Sequence, residues 1–156
     1  MDDVTLARAF HVLAIIHWIG GMAFVTLVVL PLACRVADPH EGLALFESVE
    51  RRFSAQVRLS VPVAGLSGFY MAERLDAWAR FLDPAQWWLG GMLLLWLLFM
   101  TILFVVEPAI GVRLLEAGRS DPAGLLSRVA RVHWLLLGAS AAVAGTAVLG
   151  AHGLLG

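Results

Sequence analysis

A stretch of 23 uncharged, mainly apolar residues, from position 9 to position 31, limits what this chain can fold into. A membrane-spanning helix needs roughly 20 consecutive apolar residues, and this stretch meets that length. Two histidines, His11 and His17, lie inside it. Facing lipid is costly for an imidazole, so histidines in such spans usually face another helix, a water-filled cavity or a cofactor. The stretch therefore predicts a transmembrane helix with two candidate functional side chains.

The composition of the whole chain indicates the same class. Of its 156 residues 60% are hydrophobic and 15% are charged, which is typical of an integral membrane protein. The single cysteine, Cys34, excludes an intrachain disulfide and a cysteine-based metal cluster. A net charge of −1 without a basic patch predicts no nucleic-acid partner. The N-terminus lacks a basic run, so we expect no cleaved targeting segment.

Three further apolar segments follow the first. We predict one all-α domain, residues 1–156, that is integral to the membrane and crosses it as a four-helix up-down bundle, because the short connections favour antiparallel neighbours. The second segment is the weakest, being short and interrupted by one proline and two glycines. The predicted spans are at about 5–33, 56–74, 87–110 and 131–154.

Helix starts are signalled by the dipeptide Asp-Pro. Asp38 followed by Pro39 supplies an N-cap and a first helical residue well before the second apolar segment. The same signal recurs at Asp83 and Asp121. The second helix is therefore predicted to begin outside the membrane and to enter it later.

The distribution of arginines predicts the orientation, since the chain contains no lysine. Eight arginines fall in the connections after the first and third spans, and three fall on the other side. By the positive-inside rule both termini lie outside the cytoplasm. The eight are Arg35, Arg51, Arg52, Arg58, Arg113, Arg119, Arg128 and Arg131, and the three are Arg8, Arg74 and Arg80.

This orientation sorts the histidines by depth. His11 lies near the outer end of the first span and His152 near the outer end of the fourth, so the two share a level. His133 lies at the opposite end, roughly 28 Å from His152 along an ideal helix. His17 is nearer mid-membrane and is the second-choice ligand. His40 is predicted as a solvated residue in a first helical turn.

Two imidazoles at one depth on neighbouring helices are what a six-coordinate haem b requires. His11 and His152 are the predicted axial ligands of the metal, and Gly138 and Gly145 repeat at heptad steps on the face of His152, where a porphyrin edge has room to pack. The alternatives are a His11 that is hydrogen-bonded inside the bundle and a His152 that lies at a wet interface. The chain shows no nucleophile triad, phosphate-binding loop or paired carboxylates, so we assign no catalytic residue. Glu107 is predicted to pair with a nearby arginine.

Ten residues on the first two predicted helices form a recognisable pattern: His11, Trp18, Gly20, Gly21, Phe24, Arg52, Phe53, Ser54, Pro62 and Gly68. This pattern resembles the CopD-like and HemJ-like family of small bacterial membrane proteins. The resemblance implies a location in the bacterial inner membrane. HemJ-like members are four-helix proteins implicated in protoporphyrinogen oxidation and haem b binding through a histidine that corresponds to His11, and they rely on a lysine that this chain lacks. CopD-like members are associated with copper uptake or resistance.

Three functional hypotheses follow. The first is a cytochrome of b type that exchanges electrons with a quinone or a periplasmic partner at the outer side. Aromatic residues on that side either line the approach or anchor the helices at the membrane interface. The second is a CopD-like copper-handling protein with His11 and His17 on the route. The third is a non-catalytic subunit or assembly factor, with histidines that only brace the bundle. All three leave the oligomeric state open between a monomer and a homo-oligomer. The outer aromatic residues are Trp78, Phe81, Trp87 and Trp88.

Overall fold

The structure, a computed structural model, describes residues 2–111, 113, 116 and 118–153. Within these residues the fold is all-α, with four long helices and no strand, which confirms the predicted fold class at this level. Two short 3₁₀ helices, Trp78–Leu82 and Pro84–Gln86, connect the second and third long helices. The long helices are α1 (Asp3–Ala33), α2 (Pro39–Arg74), α3 (Trp87–Thr101, continuing as a π-helix over Ile102–Gly111) and α4 (Pro122–Ala151).

The Asp-Pro signals start helices as predicted. The carboxylate of Asp38 accepts a hydrogen bond from the backbone N–H of His40 at 2.9 Å, and that of Asp121 accepts one from Gly124 at 3.0 Å. Each bond satisfies one of the N–H groups that a helix start leaves without an intrahelical partner. Asp83 caps the second 3₁₀ helix instead, one turn before α3 begins.

Two helices widen into π-helical geometry near a proline. In α1 the π-helical stretch is Val25–Val29 and Pro31 follows it, whereas in α3 Pro108 lies inside the stretch. Proline has no N–H to donate and its ring clashes with the carbonyl four residues earlier, so a local widening accommodates it.

Three of the four helices are long and apolar enough to cross a membrane. The apolar stretches are Asp3–Ala33 in α1, Pro84–Ala109, which includes most of α3, and Pro122–Ala151 in α4. By the same criterion α2 does not qualify. Its first half is charged, and the rest, from Gln56 onward, contains Arg58 and several serines and glycines, which lower its hydropathy. The membrane crossing predicted for α2 therefore depends on its contacts with the other helices and not on its own composition.

The interior consists of two apolar clusters. In the first, α1, α2 and α3 meet around Trp18, whose ring contacts Phe99 edge-on at 4.7 Å between centroids. In the second, the end of α1 packs on the starts of α2 and α4. The buried members of the first cluster are Ala14, Trp18, Met22, Val57, Val61, Ala64, Leu95, Phe99 and Leu103. Those of the second are Val25, Val29, Leu30, Ala33, Leu43, Phe46 and Leu126.

Polar contacts fix the register of α1 against α2. The hydroxyl of Tyr70 donates to the Asp3 carboxylate at 2.8 Å, and Arg74 forms an ion pair with the same carboxylate at 2.9 Å. The start of α1 thus lies beside the end of α2. This register places the two histidines of α1 along α2.

The glycines of the helices differ in what packs against them. Phe53 packs where a side chain at Gly21 would lie, and Trp96 occupies the same place at Gly65. The indole N–H of Trp96 donates to the Val61 carbonyl at 2.9 Å, so that approach is held by a hydrogen bond. No atom lies within 4 Å of a Cβ built at four others, Gly20, Gly90, Gly138 and Gly145.

Candidate functional site

His11 is anchored to α2 through one ring nitrogen. Its Nδ1 lies 2.7 Å from the carbonyl oxygen of Ala64 and 3.2 Å from the hydroxyl oxygen of Ser67. A carbonyl oxygen only accepts hydrogen bonds, so Nδ1 carries the proton and donates it. In the neutral imidazole, Nε2 then keeps its lone pair and is able to bind a metal.

The His11 ring also rests against a glycine of α2. A Cβ built at Gly68 would lie 3.2 Å from His11 Cε1 and 3.5 Å from Nδ1. Any side chain at that position would press on the ring. Gly68 therefore provides the space that lets His11 reach its carbonyl partner.

His17 meets the same helix through both nitrogens. Its Nε2 lies 3.2 Å from the amide oxygen of Gln56, and its Nδ1 lies 3.1 Å from the hydroxyl of Ser60. The amide oxygen only accepts, so Nε2 donates to Gln56 and Nδ1 accepts the Ser60 hydroxyl proton. Neither nitrogen of His17 offers a lone pair, unlike Nε2 of His11.

His152 lies at the end of α4 and is exposed. Its Nδ1 lies 2.8 Å from the Val148 carbonyl of its own helix, so this ring also donates from Nδ1 and keeps a lone pair on Nε2. Gly145 and Gly138, one and two heptads before it, are exposed. This side of α4 is therefore uncovered by the rest of the described residues.

The two predicted ligands have different surroundings. His11 packs against α2, whereas His152 is exposed and hydrogen-bonds its own helix, α4. Among the described residues no hydrogen bond or ring contact joins them, and their pairing around one haem stays a prediction. Nor do the described residues contain a group of three or more His, Cys, Asp or Glu side chains suited to a metal ion.

The other two histidines have the surroundings expected of structural residues. His133 donates from Nδ1 to the Val129 carbonyl at 3.1 Å, and its Nε2 lies 3.9 Å from a carboxylate oxygen of Glu50. The ring also meets Phe46 edge-on. His40 is exposed in the first turn of α2.

A buried donor lies one position beyond His17. The side chain of Trp18 is 4% exposed, and its Nε1–H has no hydrogen-bond partner in the described part of the chain. Leaving such a donor unsatisfied costs about 1–3 kcal/mol. The bundle interior therefore offers a polar hydrogen to an acceptor that the described residues do not supply.

A charged cluster joins α2 to α3. Arg58 pairs with Glu107 at 3.2 Å, which confirms that this glutamate has an arginine partner. The hydroxyl of Ser54, a buried residue, lies 2.7 and 2.8 Å from the two carboxylate oxygens. From the sequence, Ser54 is only one residue of the CopD-like and HemJ-like pattern. Its contact with Glu107 was not predicted, because that contact depends on the register between the two helices.

The outer aromatic residues pack largely on one another. Trp78 stacks on Phe69 with 6.1 Å between ring centroids, and Phe81 lies 5.8 Å from it. Trp88 is buried against α4, whereas Trp87 is 53% exposed. Their suggested role in lining a quinone approach stays a prediction.

Comparison with known proteins does not assign this chain to a family. The resemblance to CopD-like and HemJ-like proteins stays a prediction from the residue pattern. No protein family, curated protein or solved structure matches this chain.

Proposed function

We propose that the chain is an integral membrane protein whose four helices form an up-down bundle. Large apolar side chains on all four helices face outward: Leu13, Leu59, Leu94 and Leu135 are 63%, 71%, 69% and 68% exposed. Contiguous apolar surface of this kind is unfavourable in water and favourable in lipid. Three of these helices are also long and apolar enough to cross a membrane.

The contacts of α2 support its inclusion as the fourth span. Between Arg52 and Glu73 the helix has 20 residues, roughly 30 Å, which is the thickness of a hydrocarbon core. Arg58 is the one charged residue in this segment. Glu107 of α3 pairs with it, so the charge enters the bundle with a counter-ion.

We further propose that this membrane protein binds one haem b, which His11 and His152 would hold. The observation that carries the proposal is the hydrogen bond from His11 Nδ1 to the Ala64 carbonyl. Metal-binding histidines usually donate the other ring N–H to a carbonyl or carboxylate, which fixes the tautomer and aims the ligating nitrogen. His152 shows the same tautomer.

The donor set fits haem better than a bare metal ion. The porphyrin brings four nitrogen ligands of its own, so the protein supplies only one or two imidazoles. A copper ion held by protein alone needs several converging ligands, and the described residues contain no group of three or more His, Cys, Asp or Glu side chains that would supply them. When bound, haem would supply one-electron redox chemistry. The open surface at Gly138 and Gly145 offers room for a porphyrin edge beside His152.

The proposed activity is therefore electron transfer in the bacterial inner membrane, with a quinone or a periplasmic protein as partner at the outer side. His11 lies eight residues after Asp3, roughly 12 Å along α1, which keeps it close to that surface. The chain lacks the lysine on which HemJ-like proteins rely. Electron transfer is thus a better proposal than protoporphyrinogen oxidation.

A visible absorption spectrum of the purified, detergent-solubilised protein tests this proposal. We expect a Soret band, with sharp α and β bands after reduction, because two imidazole ligands make haem iron low-spin. Protein without bound haem after expression with a haem precursor would contradict it. Copper retention by the same preparation would favour the CopD-like alternative, and binding of neither would favour a structural subunit.

Reporter fusions test the proposed orientation. A reporter fused after Gly156, or inserted near Asp76, is expected to read as periplasmic, because the arginine-rich connections lie on the other side. A reporter near Glu116 is expected to read as cytoplasmic. A cytoplasmic C-terminus would invert the bundle and move His11 to the inner surface.

A further inference from the structure

A cleft of about 310 Å³ lies between α1 and α2, on the C-terminal side of His17 along α1. Its walls are apolar, with Phe24 and Val25 on α1 and Val49 and Phe53 on α2. Phe24 is 55% exposed, so the cleft opens at the surface of the helix pair. In a membrane, such a surface faces lipid chains.

One cation, Arg52, lines this cleft. It is exposed, and the described residues give it no ion pair or hydrogen bond. Two other arginines of α2 differ, since Arg58 pairs with Glu107 and Arg74 pairs with Asp3. The charge of Arg52 is therefore available to an anion from outside the chain.

A second donor stands beside Arg52. Gln56 also lines the cleft, and its amide oxygen is occupied by His17 Nε2 at 3.2 Å. The amide NH₂ group is then left to donate. A guanidinium fork with an adjacent amide suits a phosphate, whose oxygens accept several hydrogen bonds at once.

We propose that this cleft binds an acidic phospholipid, with the phosphate at Arg52 and Gln56 and an acyl chain along the apolar walls. The proposal rests on the membrane placement proposed above, in which Arg52 belongs to the arginine-rich cytoplasmic side. Basic pockets between helices on that side are where acidic headgroups bind. A neutral quinone would use the apolar walls but would leave the arginine charge uncompensated.

Native mass spectrometry of the full chain in detergent tests the proposal with two probes, dioleoyl-phosphatidylglycerol and dioleoyl-phosphatidylcholine. We expect the wild type to retain phosphatidylglycerol about fivefold more strongly, the effect of one arginine near an acidic headgroup. Arg52→Gln is expected to abolish this preference. Arg51→Gln is the matched control, because it removes the same charge from an exposed neighbour that does not line the cleft.

A second variant fills the cleft and keeps its charge. Ser48 lines the cleft and is exposed, so Ser48→Trp is compatible with folding and is expected to lower phosphatidylglycerol retention as Arg52→Gln does. Equal retention of the two lipids by the wild type, or equal losses in the Arg51 and Arg52 variants, would overturn the proposal. So would a short-chain benzoquinone that is retained in preference to phosphatidylglycerol.

Alkaline carbonate extraction separates this failure from failure of the membrane placement. Protein that stays in the carbonate-resistant membrane fraction but shows no lipid preference refutes the lipid site alone. Protein released by carbonate refutes the membrane placement. Haem content is read independently from the Soret band.

Discussion

Substitution of His11 by alanine is expected to lower haem occupancy at least about tenfold, the scale on which metal sites respond to losses around a ligand. The reason is that His11 Nδ1 donates to the Ala64 carbonyl and leaves the lone pair of Nε2 for the proposed bond to iron. His152→Ala is expected to remove the haem or convert it to a five-coordinate, high-spin form. The measurement is the ratio of Soret absorbance to protein after one purification protocol.

His133→Ala is the matched control for these variants. His133 also donates from Nδ1 to a carbonyl, but it lies beside Glu50 at the other end of the bundle, so its loss should leave the spectrum unchanged. Full haem retention in both His11→Ala and His152→Ala would refute the pairing. Loss of haem in His17→Ala alone would assign the site to the second-choice ligand, deeper in the bundle.

Helix starts were predictable because their signals are local. An aspartate, a proline and the following backbone N–H groups lie within four residues, and the structure forms these caps at Asp38 and Asp121. The π-helical stretches were not predicted. A proline signals an interruption in a helix, but whether the helix kinks, ends or widens depends on packing around it.

The partners of the histidines depend on helix register, which the sequence did not give. Six residues separate His11 from His17, which places their side chains about 120° apart around an ideal helix. Both rings nevertheless hydrogen-bond α2, at Ala64 and at Gln56. The two histidines lie at opposite edges of the contact between α1 and α2, so both reach α2 although their directions around α1 differ.

His11 and His152 were predicted to lie at one depth in the membrane, each near the outer end of its helix. A common depth does not determine the direction in which either side chain points. The direction of each side chain depends on which face of α1 or α4 packs inward. In α4 that face includes Leu126 and Ser140, which leaves the surface of Gly138 and Gly145 exposed.

Removal of the Glu107 carboxylate is expected to destabilise the bundle more than removal of the whole charged pair. Glu107→Ala leaves Arg58 without its counter-ion and the buried Ser54 hydroxyl without its acceptor. A lost hydrogen bond to a charged group is worth about 2 kcal/mol. The double variant Arg58→Ala with Glu107→Ala removes both charges together and should recover part of that loss.

Unfolding in mixed detergent micelles, followed by tryptophan fluorescence, measures these differences. Glu47→Ala is the control, because the described residues give Glu47 no ion pair. The single variant Arg58→Ala completes the comparison. If the stability lost in the double variant equals the sum of the losses in Arg58→Ala and Glu107→Ala, the pair does not act as a unit. In that case α2 would carry an isolated arginine inside its proposed span, and the argument that α2 crosses the membrane would lose its main support.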